Sequence, residues 1–146
     1  MKYLVFLVAL FAIGCSDGGK KSALSKGLCD CFAPVDFTLS EDSRRLLSEA
    51  GASGDPVAHF RSELQKLSPE KQDSVSQQLK MGGPNGAAFR VYSDCIKSLR
   101  DNNIDSTAST EKKNQLFEEA VNGLKNDRDC AAAYGFFRVM MAATQR

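Results

Sequence analysis

The sequence predicts an all-α fold: a small disulfide-stapled helical bundle of about five to six helices, preceded by a leader segment. Three observations lead there. From about residue 23 onward, apolar residues recur at helical spacing, and no stretch shows the sustained alternation of a half-buried strand. Helix start and stop signals punctuate the same region at short intervals. Four cysteines, Cys29, Cys31, Cys95 and Cys130, fall inside the helical segments, where pairing would tie one helix to others.

The elements follow in order. Residues 23–33 place Leu24, Leu28 and Cys31 on one stripe and stop before Pro34, because a proline disfavours helical backbone at the residue before it. Thr38-Leu-Ser-Glu41 has the form of a capping box; the helix it opens buries Leu39, Leu46, Leu47 and Ala50 and ends near Gly51. Asp55-Pro56 is an N-cap with proline at the first helical position, and Val57, Phe60, Leu64 and Leu67 form that helix's inner face. Ser68-Pro69-Glu70 repeats the signal for a polar helix reaching about Met81.

Gly82-Gly-Pro-Asn-Gly86 then breaks the chain into a turn. Residues 87–101 form an amphipathic helix, with Ala88, Val91, Tyr92, Cys95 and Leu99 on one side and Arg90, Asp94 and Lys97 opposite. A polar linker, Asp101 to Thr110, leads to a helix whose Leu116, Phe117, Ala120, Val121 and Leu124 share an arc. The last helix begins near 127–129 and carries Cys130, Ala133, Tyr134, Phe137, Met140 and Met141 on its main face. No internal repeat is present, and residues 23–146 read as one domain.

Composition narrows the function classes. The chain has 19 Lys and Arg against 18 Asp and Glu, so no overall field draws in a polyanion. The basic residues are scattered among acids, without the stripe and interleaved aromatics that track a phosphate backbone, which argues against nucleic-acid binding.

The leader carries one positive charge in Met1-Lys2-Tyr3 and then ten uninterrupted apolar residues, LVFLVALFAI, at 4–13. A helix of that length covers about 15 Å, roughly half of a bilayer's hydrocarbon core. Residues 1–14 therefore read as a signal peptide and not as a membrane-spanning helix. Ala12 and Gly14 are small residues at the positions an ordinary signal peptidase inspects, so cleavage before Cys15 is one expectation. Ala12-Ile13-Gly14-Cys15 also resembles the lipobox of bacterial lipoproteins, with Ala12 where leucine is commonest in that family. The resemblance implies a diacylated Cys15 as first residue of the mature chain, hence a membrane partner through the lipid anchor. Ser16 directly after that cysteine resembles the outer-membrane sorting class, which places the chain in the bacterial cell envelope, on the periplasmic face or the surface of the outer membrane. Residues 15–22 then form the lipidated cysteine and a small, polar, flexible tether.

Cysteine arithmetic agrees. Five is an odd number, and assigning Cys15 to a lipid leaves four that can pair. On a helix, Cys29 and Cys31 point about 200° apart, so each meets a different partner. Two disulfides from the first helix to the helices of Cys95 and Cys130 follow, with the choice between the two such pairings left open. The functional alternative is a thiol-based metal-binding or redox protein of the periplasm, but Cys29-Asp-Cys31 matches neither a zinc knuckle nor a Cys-x-x-Cys motif.

Little else bears on chemistry. His59, the single histidine, falls off the apolar side of its helix near Ser62 and Lys66. No nucleophile elbow, phosphate-binding glycine loop, paired metal-binding histidines or calcium loop is present, so the sequence names no catalytic residue, no metal ligand and no cofactor. Adjacent acids such as Glu118-Glu119 read as a solvated helix face. In the last helix Ala132, Phe136, Val139 and Ala143 form a second apolar strip, with Arg138 the single charge in 130–145. Either that helix is buried centrally, or the strip, Phe136 and Val139 above all, docks onto a protein or apolar ligand. The expected function is that of a non-enzymatic binding module held at the envelope.

Overall fold

The computed structural model describes residues 16–80 and 82–144, with side chains described from Ala23 onward. Seven helices make up the described chain: α1 (Ser16–Asp36), α2 (Glu41–Ala52), α3 (Pro56–Gln65), α4 (Pro69–Gln78), α5 (Gly86–Asn103), α6 (Thr110–Asn122) and α7 (Ala131–Thr144). There is no strand among the described residues. The fold is a disulfide-stapled helical bundle; its seven helices correspond to the seven segments read in order from the sequence, one or two more than the overall figure of five to six.

The helix starts are written in side-chain chemistry. Ser40 accepts a hydrogen bond from the Ser43 amide at 3.2 Å, and Asp55 accepts from the Ala58 amide at 3.0 Å with Pro56 at the first helical position. Ser109 does the same for Lys112 at 3.2 Å. Each satisfies an amide that the helix itself leaves without a partner. Thr38 has a different role from the one predicted: its hydroxyl donates to the Val35 carbonyl at 2.7 Å and closes α1, leaving Ser40 to open α2.

Three other boundaries differ from expectation. Helix α1 runs through Pro34 to Asp36, because proline forfeits one amide bond in a last turn whose neighbours, Val35 and Leu39, are fully desolvated. At its other end α1 begins at Ser16, so the backbone of residues 16–22, predicted as a flexible tether, is helical and continuous with the packed segment; elongating an existing helix costs far less than nucleating one. Helix α4 ends at Gln78, short of the expected Met81, which lies outside the described residues.

Two packing layers organise the bundle. Helix α1 lies against α5, α6 and α7, and α2 lies against α7, with α3 and α4 closing over α2. The centre is aromatic: Phe32 of α1 meets Phe136 of α7 at 4.9 Å between ring centroids, and Tyr92 and Phe89 of α5 join them edge-on or tilted. Phe117 of α6 packs edge-on against Phe137 at 5.8 Å. Such contacts add about 0.5–1.5 kcal/mol per pair beyond burial itself.

Helices α2 and α7 touch backbone to backbone. A β-carbon on Gly135 would fall on the Leu47 carbonyl, and one on Gly51 would stand 2.9 Å from the Gly135 α-carbon. Gly51 lies one residue from the end of α2, as the sequence predicts, and this contact adds a packing reason for glycine there. Arg138, the single charge of α7, reaches back to the end of α2 and donates to the carbonyls of Gly51 at 3.4 Å and Ser53 at 3.3 Å. A cation is favourable there, at the negative end of the helix dipole.

A polar clamp fixes α4. The Gln78 side-chain carbonyl accepts from the Ser40 amide and from the Ser43 hydroxyl, both at 2.8 Å, and Ser43 is fully buried. Gln78→Leu leaves the Ser40 amide without that acceptor, and we expect a loss of about 1–3 kcal/mol in a urea titration. An unchanged midpoint would mean that water replaces the amide without cost.

Burial also titrates Tyr92. Its phenol is pushed up to about 12 from 10.0 by desolvation. The folded state therefore keeps a proton that the unfolded state releases, so the contribution is complete below pH 10 and drains away as pH rises toward 12. Stability should fall across that window, by about 2 kcal/mol between pH 9 and 11.5 in chemical denaturation, and Tyr92→Phe should remove that share of the loss.

Candidate functional site

Each predicted site residue now has a place. Cys29 bonds Cys130 and Cys31 bonds Cys95, with α-carbons 5.5 and 5.4 Å apart. A single turn of α1 is thereby tied in two directions, to α5 and to the start of α7. Cys130 stands just before α7, where its carbonyl accepts from the Tyr134 amide at 2.8 Å, and not within the helix as predicted. In this bonding none of the four sulfurs is a thiolate, so it and a four-thiolate metal site exclude each other. Cys15 and the leader lie outside the described residues.

Of the two readings open for the second apolar strip of α7, central burial is the one that holds at Phe136. Phe136 is 6% exposed, inside the aromatic centre against Phe32, Phe89 and Tyr92, so it offers nothing to a partner. Val139 is half-buried and Ala143 exposed, which leaves a fragment and not a strip. Conversely Met140, predicted on the buried face, is exposed. Helix α7 packs chiefly on α2 and also touches α3, α1 and α6, so its buried arc takes residues from both stripes visible in sequence.

His59 is half-buried in a shallow recess between α2 and α3, beside Glu49, Ala52, Ser53 and Glu63. Its buried Nε2 has no hydrogen-bond partner among the described residues. Glu63 is held below the usual carboxylate range, chiefly by its hydrogen bond from Lys66. Among the described residues no three His, Cys, Asp or Glu side chains are gathered to hold a metal ion.

The concavity with the chemistry of a ligand site lies elsewhere, where α1, α5 and α6 meet. It is a cavity of about 180 Å³ with apolar walls from Leu24 and Leu28, from Ile96, Leu99 and Ile104, and from Phe117. Arg100, Lys113 and Asn114 supply its polar edge. Lys113 donates to the Ser106 carbonyl at 2.8 Å, and Arg100 pairs with Asp101 at 3.0 Å. The Asp105 carboxylate stands below the usual range, first because Thr107 hydrogen-bonds it and last through the charge of Lys113. Among the described residues no acidic side chain lines the cavity itself.

Sequence reasoning missed this site. Leu24, Leu28, Leu99 and Phe117 are legible as stripe residues, but Ile96 and Ile104 were not singled out, and Lys113 lies in an ordinary polar run. Only the meeting of three helices creates the void.

The molecule so defined is a small helical bundle stapled from its first helix. No family model matches the chain, and neither a curated protein nor a solved structure matches it. Among the described residues no helix is long and apolar enough to cross a membrane.

Proposed function

We propose that the chain is a lipoprotein of the bacterial cell envelope, anchored through acylated Cys15 at the outer membrane, whose helical domain is a non-enzymatic binding module. One observation carries the reading. All four cysteines among the described residues are consumed in disulfides, and the fifth, Cys15, stands alone at the end of an apolar leader in the sequence Ala12-Ile13-Gly14-Cys15. Two bridges suit an oxidising compartment, and an unpaired fifth thiol there calls for a chemical fate that acylation supplies. Ser16 after the cysteine supports the outer-membrane destination.

Cys15→Ser tests the anchor. The wild-type chain is expected in the membrane pellet after detergent-free fractionation, and the variant in the soluble periplasmic fraction or retained with an uncleaved leader. A wild-type chain that is soluble and unacylated would mean ordinary cleavage before Cys15, which Ala12 and Gly14 also allow.

A further inference from the structure

We propose that the cavity between α1, α5 and α6 binds a small carboxylate whose apolar body has about six to eight carbons, tail inward, with the head held at Lys113. The inference deepens the binding-module reading and is independent of the anchor.

Volume sets the size of the guest. A closed apolar cavity of about 150 Å³ stays dry and admits benzene. At about 180 Å³ the present one takes a body slightly larger than that ring, and its walls of leucine, isoleucine and phenylalanine offer a polar tail nothing to bond. A void of this size also forfeits dispersion contacts on every wall, so a bundle packed elsewhere by interlocking aromatics gains by filling it.

The edge sets the head group. Its ionic side chains, Arg100 and Lys113, are both cations. Arg100 is engaged by Asp101 through two bonds to one carboxylate oxygen, at 3.1 and 3.0 Å. Among the described residues Lys113 makes a single hydrogen bond, to a neutral carbonyl, and an ammonium has three donors. Asp105 is near enough to feel Lys113, yet its carboxylate is taken up by Thr107 through both amide and hydroxyl. A ligand carboxylate would meet Lys113 and the Asn114 amide, with no acid among the described lining residues to repel it.

The test uses the full chain in lipid vesicles and a diazirine-bearing octanoate, with the label mapped by peptide mass spectrometry. Saturable labelling on α1, α5 and α6, displaced by excess octanoate, is expected. Ile96→Phe, which fills the cavity, should abolish it. Lys113→Met keeps the length of this half-buried side chain and removes its charge and its bond to Ser106; with an unchanged circular dichroism spectrum to show that the variant is folded, it should weaken competition by octanoate about tenfold and leave octan-1-ol unaffected. Label spread evenly over the helices, or octanol competing as well as octanoate against the wild-type chain, or an unchanged Lys113→Met, would overturn the proposal. Failure here with a Cys15-dependent membrane pellet would leave the anchor intact, and the reverse pattern would leave the cavity intact.

Discussion

Replacing Cys29, Cys31, Cys95 and Cys130 together by alanine is expected to leave the domain unfolded at 37 °C, with its near-ultraviolet circular dichroism lost. The bridges span 101 and 64 residues of sequence. Cross-linking loops of that length removes chain entropy from the unfolded state worth about 4–5 kcal/mol each, and the two together give less than the sum because the shorter loop is nested in the longer. A domain of this size has roughly 5–15 kcal/mol in total. Alanine at Cys31 and Cys130 also leaves voids beside buried neighbours. Single-bridge variants, Cys29→Ala with Cys130→Ala and Cys31→Ala with Cys95→Ala, should each remain folded with a lowered melting temperature. A quadruple variant that melts where the wild type does would show that the bridges decorate the fold without holding it.

Gly135→Val is expected to be the most damaging single substitution tried on α7. Overpacking a core costs about 1–3 kcal/mol when side chains can rotate away. Here the obstacle is the backbone carbonyl of Leu47, which belongs to α2 and cannot rotate without breaking that helix. The helices must separate instead, and Leu46, Leu47 and Phe137, all essentially fully buried, lose cover. We expect a loss above about 3 kcal/mol, read from the urea midpoint. Gly54→Ala is the control: nothing lies within 4 Å of its added methyl group, and stability should stay within about 0.5 kcal/mol of wild type. Equal behaviour of the two variants would contradict the close α2–α7 contact.

Much of the bundle was legible because its signals are local. The Asp55-Pro56 start appears as predicted, since a capping side chain and its amide are three residues apart. Leu24, Leu28 and Cys31 of α1, and Leu46, Leu47 and Ala50 of α2, are buried as their spacing predicts. The disulfides follow from direction: residues two apart on a helix cannot face one partner, so Cys29 and Cys31 diverge.

What stayed hidden is set by partners distant in sequence. Val91 shares an arc with Tyr92 and Cys95, yet it is exposed, while Phe89 is buried. Helix α5 is rotated on α1 by the pull of Phe89 and Tyr92 into the aromatic centre, which no window of α5 alone encodes. Gly51 and Gly135 are eighty-four positions apart and acquire meaning only as a pair. The same holds for the α1–α5–α6 cavity, whose walls are ordinary apolar positions on three separate helices.

Intact mass spectrometry of the chain purified from membranes without reductant, followed by a non-reducing peptide map, tests the central claim most directly. The account predicts a mature chain beginning at Cys15 with added acyl mass, no thiol open to alkylation, and cross-linked peptides joining Cys29 to Cys130 and Cys31 to Cys95. An unacylated chain with all five cysteines alkylated would contradict it and return the thiols to the centre of the protein's chemistry.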